Sequence, residues 1–194
     1  MPERIGILGG SFDPVHNGHL GLARAALRSH KLGRVLFLPA AVQPFKRGGP
    51  RAPNADRIEM LRLAIAPEPR FEICEIELKR GGVSFLHDTL VELRRLHPGA
   101  KLFFILGMDA LRDLRLWHRA AELPSLCEFL AAARPGFEPP ADAPPHKTFP
   151  CRAREISSSD IRGRIAQKRG IGYLVPRSVA GHIRCHGLYQ KEKT

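Results

Sequence analysis

The sequence predicts an α/β fold: a parallel, doubly wound sheet with helices on both faces and further helices at the C-terminus. Three observations carry this expectation. Short apolar runs with strand character recur along the chain, segments with helical spacing separate most of them, and 194 residues at 43% hydrophobic and 26% charged suit one domain over residues 1–194 with a sizeable core. Strand and helix alternating in this order pack as parallel strands joined by right-handed crossovers.

The strand runs lie at residues 4–8, 34–38, 71–78, 101–106 and 128–133. Between them Leu20, Ala23 and Leu27 fall at i, i+3, i+7, as do Ile58, Leu61 and Ile65, while Leu86, Leu90 and Leu93 fall at i, i+4, i+7, so each set lines one helix face. Two segments rich in Pro and Gly break the pattern. Residues 40–53 read as a mobile loop and residues 135–150 as an extended surface excursion, with helices resuming after Ser157 and after Pro176. In such folds ligands bind at the carboxyl ends of strands, near the point where strand order reverses.

Composition narrows the function. No stretch reaches the roughly 18 uncharged apolar residues of a membrane span, and Met1-Pro2-Glu3-Arg4 leads into a strand rather than a signal peptide, so a cytoplasmic location is expected. Cys74, Cys127, Cys151 and Cys185 are scattered without a C-x-x-C pair or zinc-finger histidines, which argues against a disulfide framework or a structural metal. The net charge of +12 and pI near 10.3 call for a phosphate-rich partner, and either a nucleic acid or a small phosphorylated molecule satisfies that electrostatics. No basic run is interleaved with aromatics as in a stacking platform for bases.

The segment after the first strand carries the chemistry: Gly9-Gly10-Ser11-Phe12-Asp13-Pro14-Val15-His16-Asn17-Gly18-His19, followed at once by a helix. Glycines let a phosphate approach the backbone, and the helix start offers N–H groups and a positive dipole end. His16 and His19, three apart, share one face of that turn and can donate hydrogen bonds to phosphate oxygens as charge develops during substitution at phosphorus. The simpler reading, a tight turn with capping histidines, would suffice for one histidine but not for the whole ordered segment.

This segment resembles the signature of the HxGH nucleotidyltransferase superfamily, whose members have a Rossmann-like fold. The resemblance implies in-line attack of a substrate phosphate on the α-phosphorus of ATP, with Mg2+ carried by the nucleotide and pyrophosphate leaving. Several relatives share His-x-Gly-His, including phosphopantetheine adenylyltransferase and cytidylyltransferases. Later blocks, in order and spacing, resemble the nicotinate-nucleotide adenylyltransferase family: Ser84 to Leu90, Phe104 to Asp109 with Trp117 following, Arg134-Pro135-Gly136, Ile156 to Arg162, and Tyr173 to Pro176. The similarity thus covers nearly the whole chain and implies AMP transfer from ATP to nicotinate mononucleotide, giving deamido-NAD. Siblings acting on nicotinamide mononucleotide or phosphopantetheine are the nearest alternatives, and a basic nucleic-acid-binding module is the alternative from another class.

The resemblance assigns His16, His19 and Lys46 to catalysis. It places Gly9, Gly10, Ser11, Phe12, Gly107, Asp109, Ser158, Ser159 and Arg162 around ATP, and Phe85, Leu86, Trp117 and Arg134 around the mononucleotide, with no metal held directly by the protein. Each has a plainer reading on its own: Asp109 as a helix cap, Trp117 as core, Ser157 with Asp160 as a capping box, Lys46 and Arg134 as solvated charges. By resemblance Asp109 holds the ATP ribose, Trp117 stacks on the pyridine ring, Lys46 sits in a closing phosphate loop and Arg134 meets the mononucleotide phosphate. The chain departs from the family at Phe85-Leu86, where Tyr-Thr is usual, and at Phe45, where His is frequent. Without a hydroxyl at Leu86, backbone N–H groups of that turn are left to hold the nicotinate carboxylate.

Overall fold

The computed structural model describes residues 2–45, 49–133, 139, 143–151 and 156–190. Six strands form one all-parallel sheet in the order β3-β2-β1-β4-β5-β6: β1 Arg4–Gly10, β2 Arg34–Pro39, β3 Phe71–Ile73, β4 Lys101–Gly107, β5 Glu128–Ala133 and β6 His146–Pro150. The order reverses between β1 and β4, which is where a ligand crevice is expected.

The inner strands β1, β2, β4 and β5 read as continuous apolar runs because both faces of the sheet are covered. Along β4, Leu102, Phe104 and Leu106 enter one core while Phe103 and Ile105 enter the other. The first core is roofed by helices α3 Ile76–Arg80, α4 Leu86–Leu96, α5 Met108–Asp113 and α6 Leu123–Leu126. The second is roofed by α1 Asn17–Ser29, α2 Asn54–Ile65, α7 Ser158–Ala166 and α8 Arg177–Cys185. Gly6 is closely packed in the middle of β1: a Cβ there would lie 2.7 Å from Leu32 Cδ1 and 3.0 Å from Ile105 Cδ1, so those side chains would have to shift.

Three expectations are corrected. The run at 71–78 is strand only over Phe71–Ile73; the chain then turns into α3, which buries Ile76 and carries Glu77 inward to accept a hydrogen bond from Thr89. The proline-rich stretch 135–150 ends in β6, an edge strand on β5 that buries Phe149, and Pro150 is tolerated at its last residue, paired with Ala133. On α2, Leu61 and Ile65 are buried as expected, but Met60, Ala64 and the charged Arg57 share that face, leaving Ile58 half-buried. The loop of residues 40–53 is tethered at both ends, Val42 bridging to Val83 and Ala52 donating its N–H to Asp13.

The four cysteines are free thiols, and burial pushes Cys127 up to about 12. Among the described residues no helix is long and apolar enough to cross a membrane.

Candidate active site

The carboxyl ends of β1, β2 and β4 open onto a pocket lined by Gly9, Gly10, Leu38, Ala40, Glu77, Ser84, Phe85, Leu86, Phe104, Trp117 and His118. Its floor sits at the strand-order reversal, so the topology places it where the expectation put a ligand.

His16 is the N-cap of α1, and the two histidines close a reciprocal capping box. The His19 N–H donates to His16 Nδ1 and the His16 N–H donates to His19 Nδ1, each at 3.3 Å. The rings stack, centroids 3.6 Å apart at 19°. Because both Nδ1 atoms accept, each neutral ring carries its proton on Nε2 and presents it as a donor. Capping therefore uses the Nδ1 edge of each imidazole, opposite Nε2. Phe12 supports the pair from below: its ring is 1% exposed and meets His19 edge-on, centroids 4.9 Å apart. The Phe12 side chain thus belongs to the core, and it is the backbone of this residue that can face a nucleotide.

The turn from Ser11 to Pro14 is braced by residues the sequence did not single out. Asp13, 3% exposed, accepts the N–H of Arg51 at 2.8 Å, the N–H of Ala52 at 3.0 Å and the Tyr189 hydroxyl at 2.8 Å. The fully buried Arg57 donates to the Ser11 carbonyl at 2.6 Å and to Asn54 at 2.7 Å. Burial lowers its pKa, and the nearby Asp13 carboxylate opposes that shift. Burial also pushes the Tyr189 hydroxyl up, so it serves as a donor.

The start of α7 docks onto this turn. Ser158 donates to the Pro14 carbonyl at 2.9 Å, and Arg162 donates to the Asp13 carbonyl at 2.7 Å and to Ser159 at 3.1 Å. Ser157 caps the helix by accepting the Asp160 N–H at 3.0 Å, so half of the expected capping box forms and the serine-rich helix start lies beside the paired histidines' turn. Ser11 donates to Gln43 at 3.0 Å, linking the turn to the loop above the pocket.

On the other side of the reversal β4 ends at Gly107, whose Cα faces open space. Gly107 itself is the N-cap of α5 without a side-chain bond, so Asp109 is not the cap; it stands exposed in the first turn at the strand's carboxyl end. Trp117 is half-buried rather than core, standing edge-on to Phe104 with centroids 5.8 Å apart and leaving ring surface on the pocket. Phe85 packs against His118, centroids 4.4 Å apart, and Leu86 is the first residue of α4, whose N-cap Phe85 makes no side-chain cap bond.

Glu77 lies under this wall, 4% exposed. It accepts hydrogen bonds from the hydroxyls of Thr89, at 2.8 Å, and Ser84, and burial raises its pKa against the pull of those bonds and of Arg80. Lys46 and Arg134 lie outside the described residues.

Comparison with known proteins identifies the family. A cytidylyltransferase-like family model matches residues 7–164. A protein of Thermus thermophilus named "probable nicotinate-nucleotide adenylyltransferase" is 46% identical over 189 residues, covering 96% of this chain and 100% of the relative. One of the same name from Desulfitobacterium hafniense is 40% identical over 200 residues, with 97% of each chain covered. The solved structure of Plasmodium falciparum nicotinic acid mononucleotide adenylyltransferase complexed with NaAD shares the fold, with TM-score 0.80 at 20% identity over 96% of this chain and 97% of that one. The chain belongs to the cytidylyltransferase-like family and, within it, to the nicotinate-nucleotide adenylyltransferases.

Proposed function

We propose that the protein, acting as one domain, transfers AMP from MgATP to nicotinate mononucleotide, making deamido-NAD and pyrophosphate. The stacked His16–His19 pair, at the helix start that follows the Gly9–Gly10 lining of an aromatic-walled pocket at the strand-order reversal, carries this reading. A phosphate oxygen of the mononucleotide attacks the α-phosphorus of ATP; the new P–O bond forms as the bond to the β-phosphate bridging oxygen breaks, and its electron pair leaves with pyrophosphate. No protein nucleophile is needed, so the residues act by positioning and charge stabilisation.

In this reading the Nε2–H groups of His16 and His19 hold the α-phosphate oxygens, on a turn kept rigid by Asp13, Arg57 and Arg162. Gly9, Gly10 and the Ser11–Phe12 backbone admit the phosphates, the α7 start with Ser158, Ser159 and Arg162 cradles the pyrophosphate side, and Asp109 beside Gly107 takes the ribose hydroxyls. Trp117 and Phe85 sandwich the pyridine, and the first N–H groups of α4 at Leu86 receive its carboxylate. Lys46 and Arg134 add charge to the phosphates. Mg2+ would enter with ATP and neutralise its phosphate oxygens. Four free thiols suit a reducing compartment, and we place the reaction in the cytoplasm.

The test is pyrophosphate release from MgATP with nicotinate mononucleotide, its amide and phosphopantetheine supplied separately. Release with the acid foremost supports the reading. Release only with phosphopantetheine, or none together with salt-sensitive DNA or RNA binding, overturns it.

A further inference from the structure

On the far side of the second core, α8 runs antiparallel along α2. Ser178 at the start of α8 donates to the Leu63 carbonyl near the end of α2, and the end of α8 meets the start of α2 through His182 and Asp56. There Asp56, His182 and His186 bring one ligand atom each to within 4.8 Å of one another. We propose that these three residues bind a transition-metal dication of the Zn2+ type and that the ion clamps α8 to α2.

The donor set selects the ion. Two imidazoles and one carboxylate suit Zn2+, Co2+ or Ni2+, whereas Mg2+ and Ca2+ take oxygen ligands. Three protein ligands leave the fourth tetrahedral position to water. His182 and His186 are four apart in sequence, at the end of one helix, and their rings stack with centroids 4.0 Å apart, so the two side chains already face the same way. His186 Nδ1 lies 3.0 Å from the His182 carbonyl, to which it donates, leaving the Nε2 lone pair for a metal; a ligating imidazole commonly has its second nitrogen satisfied in this way. Asp56 and His182 Nε2 are 2.8 Å apart and share a proton that the metal would displace. Ligand atoms on a tetrahedral zinc lie about 3.3 Å apart, so drawing 4.8 Å inward needs only small side-chain rotations.

The ion pair of Asp56 and His182, both largely buried, is joined by the exposed His186, which brings a third ligand atom to the same spot. The meeting helix ends carry opposite partial charges, so the local charge is set by the side chains themselves. The site also adjoins the active-site bracing. Arg57, next to Asp56, holds the Ser11 carbonyl, and Tyr189, three residues after His186, holds Asp13. An ion at this place fixes the two helices from which those braces extend.

The experiment is calorimetric titration of the full chain with Zn2+, in excess Mg2+, for the wild type, His186→Asn, Asp56→Asn, Cys185→Ser and His19→Asn. One saturable site, weakened at least about tenfold by His186→Asn and Asp56→Asn but unchanged by Cys185→Ser and His19→Asn, is expected. At Zn2+ about a hundredfold above its Kd, the wild-type Tm should rise roughly 5–10 °C and that of His186→Asn should not. His186 is exposed, so that variant should fold and turn over normally in metal-free buffer. Absence of a saturable site, binding unchanged in His186→Asn, or binding lost in His19→Asn or Cys185→Ser would overturn the proposal. These readouts measure the metal alone and stand apart from adenylyl transfer.

Discussion

His16 and His19 are each other's caps: each accepts the partner's backbone N–H at Nδ1, with the rings stacked 3.6 Å apart. Structural and catalytic roles can therefore be separated by substitution. Asn retains an acceptor near the position of Nδ1 but has nothing at Nε2. His16→Asn should keep the helix start and lose about 100- to 1,000-fold in kcat, the range for one preorganised donor. His16→Ala should add a stability loss of about 1 kcal/mol for the missing cap. Normal turnover in a folded His16→Asn or His19→Ala protein would refute the catalytic role and leave only the capping one.

The wall formed by Trp117 makes a different forecast, in KM rather than kcat. Stacking beyond simple burial contributes about 0.5–1.5 kcal/mol, so Trp117→Ala should raise KM for the mononucleotide at least roughly 2- to 13-fold while that for ATP changes little. Steady-state kinetics with each substrate varied in turn decides it. Equal effects on both substrates would mark Trp117 as a packing residue.

The brace around Asp13 predicts a stability effect larger than its exposure pattern suggests. Asp13→Ala strands the N–H groups of Arg51 and Ala52 and the Tyr189 hydroxyl, and leaves Arg57 and Arg162 without their nearest carboxylate. Removing one partner from a buried charge cluster costs about 3–5 kcal/mol. Tyr189→Phe removes a single hydrogen bond to a charged group and should cost about 1.5–3 kcal/mol. Urea unfolding of the two variants should rank them in that order, and a loss under about 1 kcal/mol for Asp13→Ala would contradict the network.

Glu77 gives the protein a pH dependence of opposite sign to that of an ordinary paired carboxylate. Burial raises its folded-state pKa above the unfolded value, so the folded state binds the proton more tightly. Its contribution to stability is full below the unfolded pKa and is lost as pH rises through the folded one. Glu77→Gln keeps an acceptor for Thr89 and has no proton to lose. Stability of the variant relative to wild type should therefore grow as pH is raised from the acidic range to neutrality, measured by urea unfolding at several pH values. A difference that stays flat with pH would show that Glu77 folds at its ordinary pKa.

How much is legible in the sequence follows from where each signal lives. β1, β2, β4 and β5 are readable because a strand buried on both faces is an unbroken apolar run. β6 is not, because His146, Lys147 and Thr148 are outward or half-outward on an edge and only Phe149 is buried. The Gly9 to His19 segment is legible because its chemistry is contiguous. Asp13's bonds to Ala52 and Tyr189 span 39 and 176 residues, and a charged residue as deeply buried as Arg57 runs against its type, so neither can be read locally. Glu77 is hidden by the apolar alternation around it, which points to a strand where the chain in fact makes a helical turn.

The remaining forecast concerns the choice between the acid and the amide of the mononucleotide. The wall that would receive the pyridine substituent has Leu86 where a hydroxyl is usual in the family, so no side-chain donor stands at that position. The fold supplies another: α4 begins at Leu86, its N-cap Phe85 makes no side-chain cap bond, and the first hydrogen bond from the helix back to Phe85 comes from Thr89. The N–H groups ahead of Thr89 are thus left without a side-chain cap at the positive end of a helix bordering the pocket, which favours a carboxylate. Glu77, in the same lining, would repel an anion if it were ionised and unpaired. Its oxygens are instead engaged by Thr89 and Ser84, Arg80 lies near, and burial favours its neutral form. An amide presents a weaker acceptor and N–H groups facing donors, leaving one buried donor unpaired at about 1–3 kcal/mol, or roughly a fivefold to 150-fold discrimination. kcat/KM for the acid should exceed that for the amide by that factor under identical MgATP, and restoring a hydroxyl with Leu86→Thr should widen the ratio. Parity between the two substrates in the wild type would show that the helix start does not read the carboxylate, while leaving AMP transfer itself untouched.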